Sequence, residues 1–538
     1  MNLAFSPWIP CIRDDGSSCL ASLADCLCGA SLVDVAVRPH ERVALMRLFL
    51  CVAYAACGIP ENYDAWLTLR QRLPEAVTHY LKQWHDSFEL FHPQKPFLQV
   101  AGLCSASKPK NGKKKTADDA DVDGAGEGGQ VAAAKLDFAL AAGNNSTLFD
   151  HSGSDQARTF PHERLALGLL TYQNFSPGGQ IGSVIWGDVI TSRSSNDAPC
   201  APLSMLHTFL RGHNLPESIC LNMASVDELD AYTSLGTGWQ GRPLWEMFPH
   251  GPKDKDAVHN ATRTFLGRLV PLARTILLAR DGRTMLLGNG LTFPSFTSSQ
   301  NPFPAEFSAT VITHKKRNKE EQTLLGIQSG RAIWRQLHAL TVKRHNGVGG
   351  CIALAHCDDS DASLGADIVV DGFARDKAKI VDTVESVFHV PGIMLRDMGH
   401  ATYEEEVKRA EEMERELGNA VETWRAVIDG GWALRLKIAG KDKNKVCIRL
   451  RALACRNYWT AVEHGLPLLF QIVAFLDTPD FRPKQLAWSK LLGRSAMQAY
   501  ASACSQDNER QLRGFVAGKK FLWSRARKIL EQPDKEGA

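Results

Sequence analysis

Few residues of this chain have the types and spacing that enzyme chemistry requires. Gly178-Gly179, together with Gly182, form a glycine-rich segment whose backbone could surround a phosphate. No Gly-Lys-Ser or Gly-Lys-Thr follows, so a P-loop is not predicted. His85-Asp86 resembles half of a metal-dependent phosphohydrolase site, without evident partners. Neither a Gly-x-Ser-x-Gly elbow nor a His-Glu-x-x-His pair occurs. We predict no catalytic residues, and a nuclease or hydrolase with a dispersed site stays open as an alternative.

Cysteine and histidine spacing gives no metal site. The chain has 14 cysteines, and no two of them form a Cys-x-x-Cys pair. His356-Cys357, followed by two aspartates, could contribute ligands, but a zinc site needs a second spaced pair. We therefore predict no metal and no cofactor, and we expect most of the cysteines to be buried thiols.

Basic residues concentrate near the C-terminal end of the chain. Residues 510–530 contain seven Lys or Arg and no acid, and residues 435–456 contain eight against one acid, Asp442. The net charge of the whole chain is +3, so this charge is local. The pattern favours a phosphate-binding surface over its alternative, a solvated helix face. The predicted basic DNA surface comprises Lys519, Lys520, Arg525 and Arg527.

The elements that must position these residues are those of an ordinary multidomain protein. A length of 538 residues, 44% hydrophobic and 22% charged, predicts two or three domains. The most apolar stretch, from Val43 to Ile59, is interrupted by Arg47 and is too short to span a bilayer. The N-terminus lacks the pattern of a signal peptide. We expect a soluble, cytoplasmic protein without a membrane partner.

Residues 1–395 mix helical and strand patterns and predict a large, irregular α+β domain. The spacing predicts an amphipathic helix over 39–58 that ends at a glycine. Trp84, Phe88 and Phe91 recur at helical spacing and predict a helix end packed against the N-terminal strand. The segment 105–134 has a basic run, then an acidic run, then Gly and Ala, and predicts a disordered insertion. Strands are predicted at 310–314, 324–327, 352–354 and 368–370, and a valine-rich helix after Gly372-Phe373.

Residues 401–538 predict a four-helix bundle. An apolar stripe from Tyr403 to Trp424 marks the first helix. Three more helical segments follow near 444–475, 482–504 and 506–531, with short connections.

Several segments, taken together and in order, resemble the CasA family, the large subunit of the type I-E CRISPR Cascade surveillance complex. The two-domain layout is also the family's. The segments that carry the resemblance are Trp8-Ile9-Pro10, Trp84 to Gln99, Leu148-Phe149, Arg211-Gly212-His213-Asn214-Leu215 and Pro243-x-Trp245-Glu246.

The resemblance implies a non-catalytic subunit in antiviral defence. Such a subunit recognises the protospacer-adjacent motif in duplex DNA, assists strand separation and R-loop formation, and recruits a helicase-nuclease, while guide RNA pairing supplies sequence specificity. The implied partners are double-stranded target DNA, a guide CRISPR RNA, the small-subunit dimer and backbone subunits of Cascade, and the helicase-nuclease. A pure assembly scaffold is a further alternative.

The resemblance also assigns positions for DNA-motif recognition. The family's glycine loop corresponds to Gly178 and Gly179, whose alternative is an ordinary turn. Its basic finger corresponds to Arg283, placed by Asn289-Gly290-Leu291, and a surface arginine beside Asp281 is the alternative. Its wedge corresponds to a turn predicted to lead into a helix, whose alternative is a solvated helix N-terminus with Arg375, Lys377 and Lys379. The three wedge positions are Asp376, Lys377 and Ala378.

Two details of this assignment concern single residues. Lys377 stands where the best-known relatives have glutamine, which adds phosphate attraction and changes the hydrogen bonds available for readout. Phe149, with the stretch to about His162, corresponds to a loop that contacts the guide RNA and a neighbouring subunit. A phenylalanine there could stack on a nucleobase or serve as a buried anchor.

Overall fold

The structure, a computed structural model, describes residues 1–106, 129–140, 158–296, 303–316, 319–328, 330–357, 365–376, 379–429 and 441–530. The chain divides into two compact units. The N-terminal unit contains the described parts of Met1–Asp358 and Ala366–His389, and the helical unit contains those of Val390–Ala538.

The N-terminal unit combines short helices with small antiparallel sheets. Its helices are α1 Leu23–Cys28, α2 Pro39–Cys57, α3 Tyr63–Leu67, α4 Leu69–Gln83, α5 His162–Phe175, α6 Leu215–Leu221, α7 Asp230–Thr233, α8 Lys255–Arg263, α9 Phe265–Leu269 and α10 Leu337–Leu340. Its strands are β1 Ile9–Arg13, β2 Ser18–Ala21, β3 Leu32–Val35, β4 Cys104–Ser105, β5 Gln130–Ala132, β6 Gly179–Gln180, β7 Val184–Trp186, β8 Val189–Ile190, β9 Ser194–Ser195, β10 Leu206–Arg211, β11 Arg274–Leu278, β12 Thr284–Asn289, β13 Val311–Lys316, β14 Lys319–Leu324, β15 Ala366–Asp376 and β16 Lys379–Val390.

The sheets of this unit are small. The residues predicted for DNA-motif recognition therefore lie on short paired strands and their turns, not on one large sheet. In the described part of the chain the strand orders are β2-β1-β3, β4-β7-β8, β6-β9, β11-β12-β5, β13-β14 and β10-β15-β16. β10 and β15 are antiparallel, with Leu206 opposite Gly372. The α+β prediction is confirmed.

Helix α2 is the centre of the N-terminal core. It begins at Pro39 and ends before Gly58, whose φ of 80° suits the glycine end that the sequence predicted. The predicted amphipathic face is wrong, because every residue from His40 to Tyr54 is buried. Arg47 lies in this core and donates to Glu306 Oε2 at 2.7 Å. The ion pair explains how an arginine is accommodated inside an apolar helix.

The segment near Trp8 packs against the aromatic segment from Trp84 to Phe91, as predicted. The helix predicted in the aromatic segment has a different geometry. Trp8 is buried and its indole N–H donates to the Leu3 carbonyl at 2.8 Å. The Leu3 N–H donates to the Phe88 carbonyl at 2.8 Å. The continuous helix predicted through Trp84 and Phe91 is wrong, since α4 ends at Gln83 and a 3-10 helix covers His85–Phe88. This tight turn buries Phe88 and leaves the other two rings half-buried.

The structure corrects two more local predictions. Residues 130–132 of the predicted disordered insertion form β5, which pairs with β12, and Ala133–Leu136 form a 3-10 helix. Residues 107–128 of that insertion lie outside the described residues. The predicted strand at 352–354 is a 3-10 helix, Ile352–His356. The predicted strand at 310–314 corresponds to β13, which pairs with β14. The strand predicted at 324–327 is wrong beyond Leu324, because β14 precedes that segment and ends at Leu324.

The helical unit confirms the predicted helical C-terminal region. Its described helices are α11 Asp397–Ile428, α12 Lys441–Glu463, α13 Leu466–Ala474, α14 Phe481–Ala503 and α15 Glu509–Leu530. The predicted segment 444–475 is therefore two helices. α11 packs against α12, α14 and α15. Gly518 allows close approach of α15 to α11, since a Cβ there would lie 2.8 Å from the Ala420 carbonyl oxygen.

Candidate nucleic-acid interface

The predicted wedge positions start at the end of β15, which forms a hairpin with β16. The valine-rich helix predicted after Gly372-Phe373 is wrong, because β15 runs through both residues to Asp376 and β16 begins at Lys379. Phe373 is buried against His40 and Phe175, with ring centroids 4.9 and 5.3 Å away, which anchors β15 in the core. Asp376 is the last residue of β15, and the other two predicted wedge residues, Lys377 and Ala378, lie outside the described residues.

The predicted glycine loop pairs with a neighbouring strand. Gly179 begins β6, which pairs with β9. Gly178 is needed for packing, since a Cβ there would lie 2.9 Å from the Ser195 carbonyl oxygen. Gly179 differs: it is exposed, its φ is 148°, and a Cβ would meet no atom within 4 Å. Its backbone is therefore open to close approach by a ligand, in a conformation that other residues rarely adopt.

Asp197 connects the glycine loop to the hairpin. Its Oδ1 accepts a hydrogen bond from Gly178 N–H at 2.7 Å and another from Arg375 Nη1 at 2.9 Å. Arg375 Nη2 also pairs with Oδ2. Burial raises the pKa of the Asp197 carboxyl, but the hydrogen bonds from Arg375 and Gly178 outweigh it and hold that pKa below its usual range. The carboxylate therefore fixes β15 and the glycine loop against each other.

A buried arginine supports the glycine loop from the core side. Arg274, the first residue of β11, donates from Nη2 to the Pro177 carbonyl at 2.8 Å and to the Asn196 carbonyl at 2.9 Å. Burial lowers the pKa of this guanidinium. Because Arg274 donates to both carbonyls, it holds Pro177, just before the loop, close to Asn196, just after β9.

The glycine loop and the end of β15 line an open cleft of about 700 Å³. Its floor is glycine backbone, and its wall carries the Asp197–Arg375 pair and the exposed side chain of Leu203. We call it the glycine-loop cleft. Its lining residues are Gly178, Gly179, Ser195, Asn196, Asp197, Leu203, Ser204 and Arg375.

The structure does not bring Arg283 to this cleft. Arg283 lies in the turn between β11 and β12, whereas Arg274 pairs with Asn289 at the other end of β12. At about 3.4 Å per residue, the two ends of β12 are roughly 17 Å apart. Arg283 is exposed, and its Nε donates to Thr159 Oγ1 at 2.9 Å. Thr159 belongs to the described end of the predicted guide-RNA segment, and Phe149 lies outside the described residues.

Helix α15 presents its basic residues to solvent. Lys519, Lys520, Arg525 and Arg527 are all exposed. The opposite face is buried and is formed by Gly514, Gly518, Leu522, Ala526 and Ile529. Arg525 lies over the Phe521 ring, 5.5 Å from its centroid. The helix therefore carries an exposed basic face, as a phosphate-binding surface requires.

The candidate catalytic residues do not form a larger constellation. His85 Nδ1 and Asp86 Oδ1 are 3.2 Å apart, and both side chains are exposed. The His85 ring stacks on Phe5, with centroids 6.2 Å apart. Among the residues that the structure describes, no three His, Cys, Asp or Glu side chains group as metal ligands. In the same residues, no helix has both the length and the apolar character needed to cross a membrane.

The sequence revealed the glycines but not the residues that position them. Asp197 and Arg274 stand in no motif, and Arg375 was interpreted as a solvated residue at a helix start. The contacts of Arg274 with the loop and of Arg375 with Asp197 join segments about 80 to 180 positions apart, and Arg375 and Asp197 are 178 apart. Burial of an isolated arginine in a strand, as at Arg274, is a signal that only a structure can supply.

The chain belongs to the family described as CRISPR-associated protein Cse1, whose model matches residues 2–499. It is 26% identical over 527 residues to CRISPR-associated protein CasA/Cse1 of Thermus thermophilus, and the match covers 93% of this chain and 91% of that protein. The resemblance to CasA is therefore confirmed.

Solved structures share the fold over nearly the whole chain. Cse1 from Acidimicrobium ferrooxidans has a TM-score of 0.75 at 17% identity, covering 98% of both chains. A chain of a CRISPR RNA-guided surveillance complex has a TM-score of 0.66 at 17% identity, covering 97% of this chain and 99% of that one.

Proposed function

We propose that this chain is the non-catalytic large subunit of an RNA-guided DNA surveillance complex in antiviral defence. It recognises the protospacer-adjacent motif in duplex DNA, assists strand separation and R-loop formation, and recruits a helicase-nuclease. Membership of the Cse1 family supports the assignment to such a complex. The surveillance complex acts in the cytoplasm.

The observation that carries the DNA-binding role is the pairing of glycine backbone with the hairpin tip. Asp197 binds both Gly178 N–H and Arg375, so the loop and the hairpin form one unit. Gly179 exposes backbone without a side chain, which lets the floor of a minor groove come close. The tip at 376–378 then meets the adjoining base step, where it helps to separate the first base pair.

The other predicted residues contact the same nucleic acids away from this cleft. Arg283, roughly 17 Å along β12, contacts the phosphate backbone beyond the motif. Phe149 and the stretch to His162 contact the guide RNA and a neighbouring subunit. The basic face of α15 binds DNA phosphates without sequence preference. The remaining partners are the small-subunit dimer and the backbone subunits.

A duplex-binding titration tests this function. The complex is reconstituted with guide RNA and its partner subunits, and the targets differ only in the flanking trinucleotide. We expect the wild type to discriminate among flanks and Lys377→Ala to lose that discrimination. Equal binding to every flank by the wild type would reject motif recognition. Metal-dependent shortening of the DNA would instead favour a nuclease.

A further inference from the structure

Leu203 combines an exposed apolar side chain with a rare backbone conformation. Its side chain is 52% exposed, and its φ and ψ are 56° and 17°. The next residue, Ser204, also has a positive φ, 50°. A leucine in the left-handed region is unusual, because its Cβ crowds the following carbonyl. Two consecutive residues of this kind indicate a turn that its surroundings impose.

Contacts from strand β15 and from the segment that follows β14 fix this turn. The Ser204 carbonyl accepts a hydrogen bond from Ile327 N–H at 3.0 Å, and Ser204 Oγ accepts one from Arg375 N–H at 3.1 Å. Gly326 makes room for the turn, since a Cβ there would lie 2.3 Å from the Leu203 carbonyl oxygen. Strain that is held by so many contacts is typical of functional positions. The strain here presents one leucine side chain at the surface.

Leu203 stands between two adjoining cavities. One is the glycine-loop cleft, about 700 Å³, and the other, about 710 Å³, is also lined by Phe293, Phe296 and Arg263. Both contain Arg375, the residue that joins the hairpin to the glycine loop. The leucine is therefore a ridge beside glycine backbone, on the surface where the proposed duplex lies. Proteins that bind the minor groove insert such apolar side chains between base pairs.

We propose that Leu203 is an apolar wedge that inserts into a base step of the duplex next to the one met by Gly179. This inference rests on the proposed function, and it is separate from the hairpin tip at 376–378. Insertion of Leu203 partly unstacks this step and kinks the duplex toward its major groove, so that the residues at 376–378 meet base pairs that are already partly unstacked.

Fluorescence of 2-aminopurine, placed in turn at each base step around the flanking motif, tests the wedge. The reconstituted complex is mixed with a duplex that carries the motif but no complement to the guide, so that R-loop formation adds no signal. We expect the wild type to raise the fluorescence at one step several-fold. Leu203→Asn removes the apolar side chain while asparagine tolerates the left-handed backbone, and it should return the signal to that of free DNA.

Two control variants complete the test. Leu20→Asn, at another exposed leucine, should behave as the wild type, and Leu203→Met should keep most of the signal. An unchanged signal in Leu203→Asn, with normal assembly and thermal unfolding, would overturn the wedge and leave the proposed function intact. Failure of the wild-type complex to bind the motif-bearing duplex, measured by anisotropy, would overturn both.

Discussion

The Arg375 guanidinium and the Asp197 carboxylate meet across 178 residues of sequence, with Nη1 and Oδ1 2.9 Å apart. The same carboxylate oxygen accepts the Gly178 N–H. Arg375 Nε adds a hydrogen bond to the Ala201 carbonyl at 3.0 Å. One ion pair thus sets the position of the loop backbone relative to the hairpin that ends in the predicted wedge.

Breaking the ion pair between Asp197 and Arg375 should uncouple the glycine loop from the hairpin of β15 and β16. We expect Asp197→Asn to cost about 2 kcal/mol of local stability, as for other charge-assisted hydrogen bonds, and to reduce discrimination among flanks about tenfold. The duplex-binding titration with varied flanking trinucleotides measures this discrimination. Asp197→Glu keeps a carboxylate that can accept from both Gly178 N–H and Arg375, so it should retain part of the discrimination. Full discrimination in Asp197→Asn would contradict the coupling.

A side chain at Gly179 should block close approach by DNA. We expect Gly179→Val to weaken binding of motif-bearing duplexes at least about tenfold, because valine adds a side chain where the groove floor would lie. Gly236→Val is the matched control, since Gly236 also has a positive φ, 94°, and open space around it. If both variants bind DNA equally well, Gly179 does not contact the groove.

Arg283 should contribute to affinity but little to discrimination. Its distance from the glycine-loop cleft predicts that Arg283→Ala weakens binding to all flanks by a similar factor and lowers the salt dependence by about one phosphate contact. The neighbouring Arg280→Ala is the control, because Arg280 donates to the Phe91 carbonyl at 3.1 Å. A selective loss for one flank would instead place Arg283 in the motif.

The basic face of α15 should act without sequence preference. Replacing Lys519, Lys520 and Arg527 together by alanine should weaken binding to all duplexes and reduce the slope of log K against log salt by up to about 2.7. A triple variant at the exposed Arg13, Lys82 and Lys95 controls for total charge. An unchanged slope would exclude α15 from the DNA path.

Buried histidines should make stability depend on pH. Burial, with a smaller effect of Arg47, lowers the pKa of His207 to about 4. Its Nδ1 lies 2.9 Å from Ser308 Oγ, and Glu306 and Cys200 also face it. The folded state binds a proton at lower pH than the unfolded chain, whose histidine pKa is about 6.5, so stability is complete above pH 6.5 and falls as the pH drops toward 4.

Replacing His207 by glutamine should remove part of this dependence. We expect the loss of unfolding free energy between pH 6.5 and 4.5 to shrink by roughly 2 kcal/mol, as measured by denaturant unfolding. His40, whose pKa burial lowers to about 3, supplies a similar contribution and remains. His79→Gln, at an exposed position, is the control. An unaltered pH profile in His207→Gln would show that His207 does not titrate in this way.

Local patterns in the sequence predicted helix α2 and the helical C-terminal region, because each depends on neighbouring residues. The hairpin was missed because Val381, Val384 and Val387 recur every three residues, a helical spacing. Their β-branched side chains favour a strand, and pairing of β15 with β10 decides for it. Exposure of Val381, at 65%, fits an outer strand rather than a buried helix face.

The supports of the candidate site could not be predicted for a different reason. Asp197, Arg274 and Arg375 act through contacts between segments distant in sequence, and a single sequence carries no record of which segments meet. The left-handed turn at Leu203 likewise depends on Gly326, which lies 123 positions later in the sequence.

Strand β16 also acts as a strut. Its first residue, Lys379, follows the hairpin tip, and its last, Val390, is where the helical unit begins. Its 12 residues, roughly 40 Å at about 3.3 Å each, resist both stretching and compression. An extended strand can lengthen very little, so the chain distance from Lys379 to Val390 is fixed.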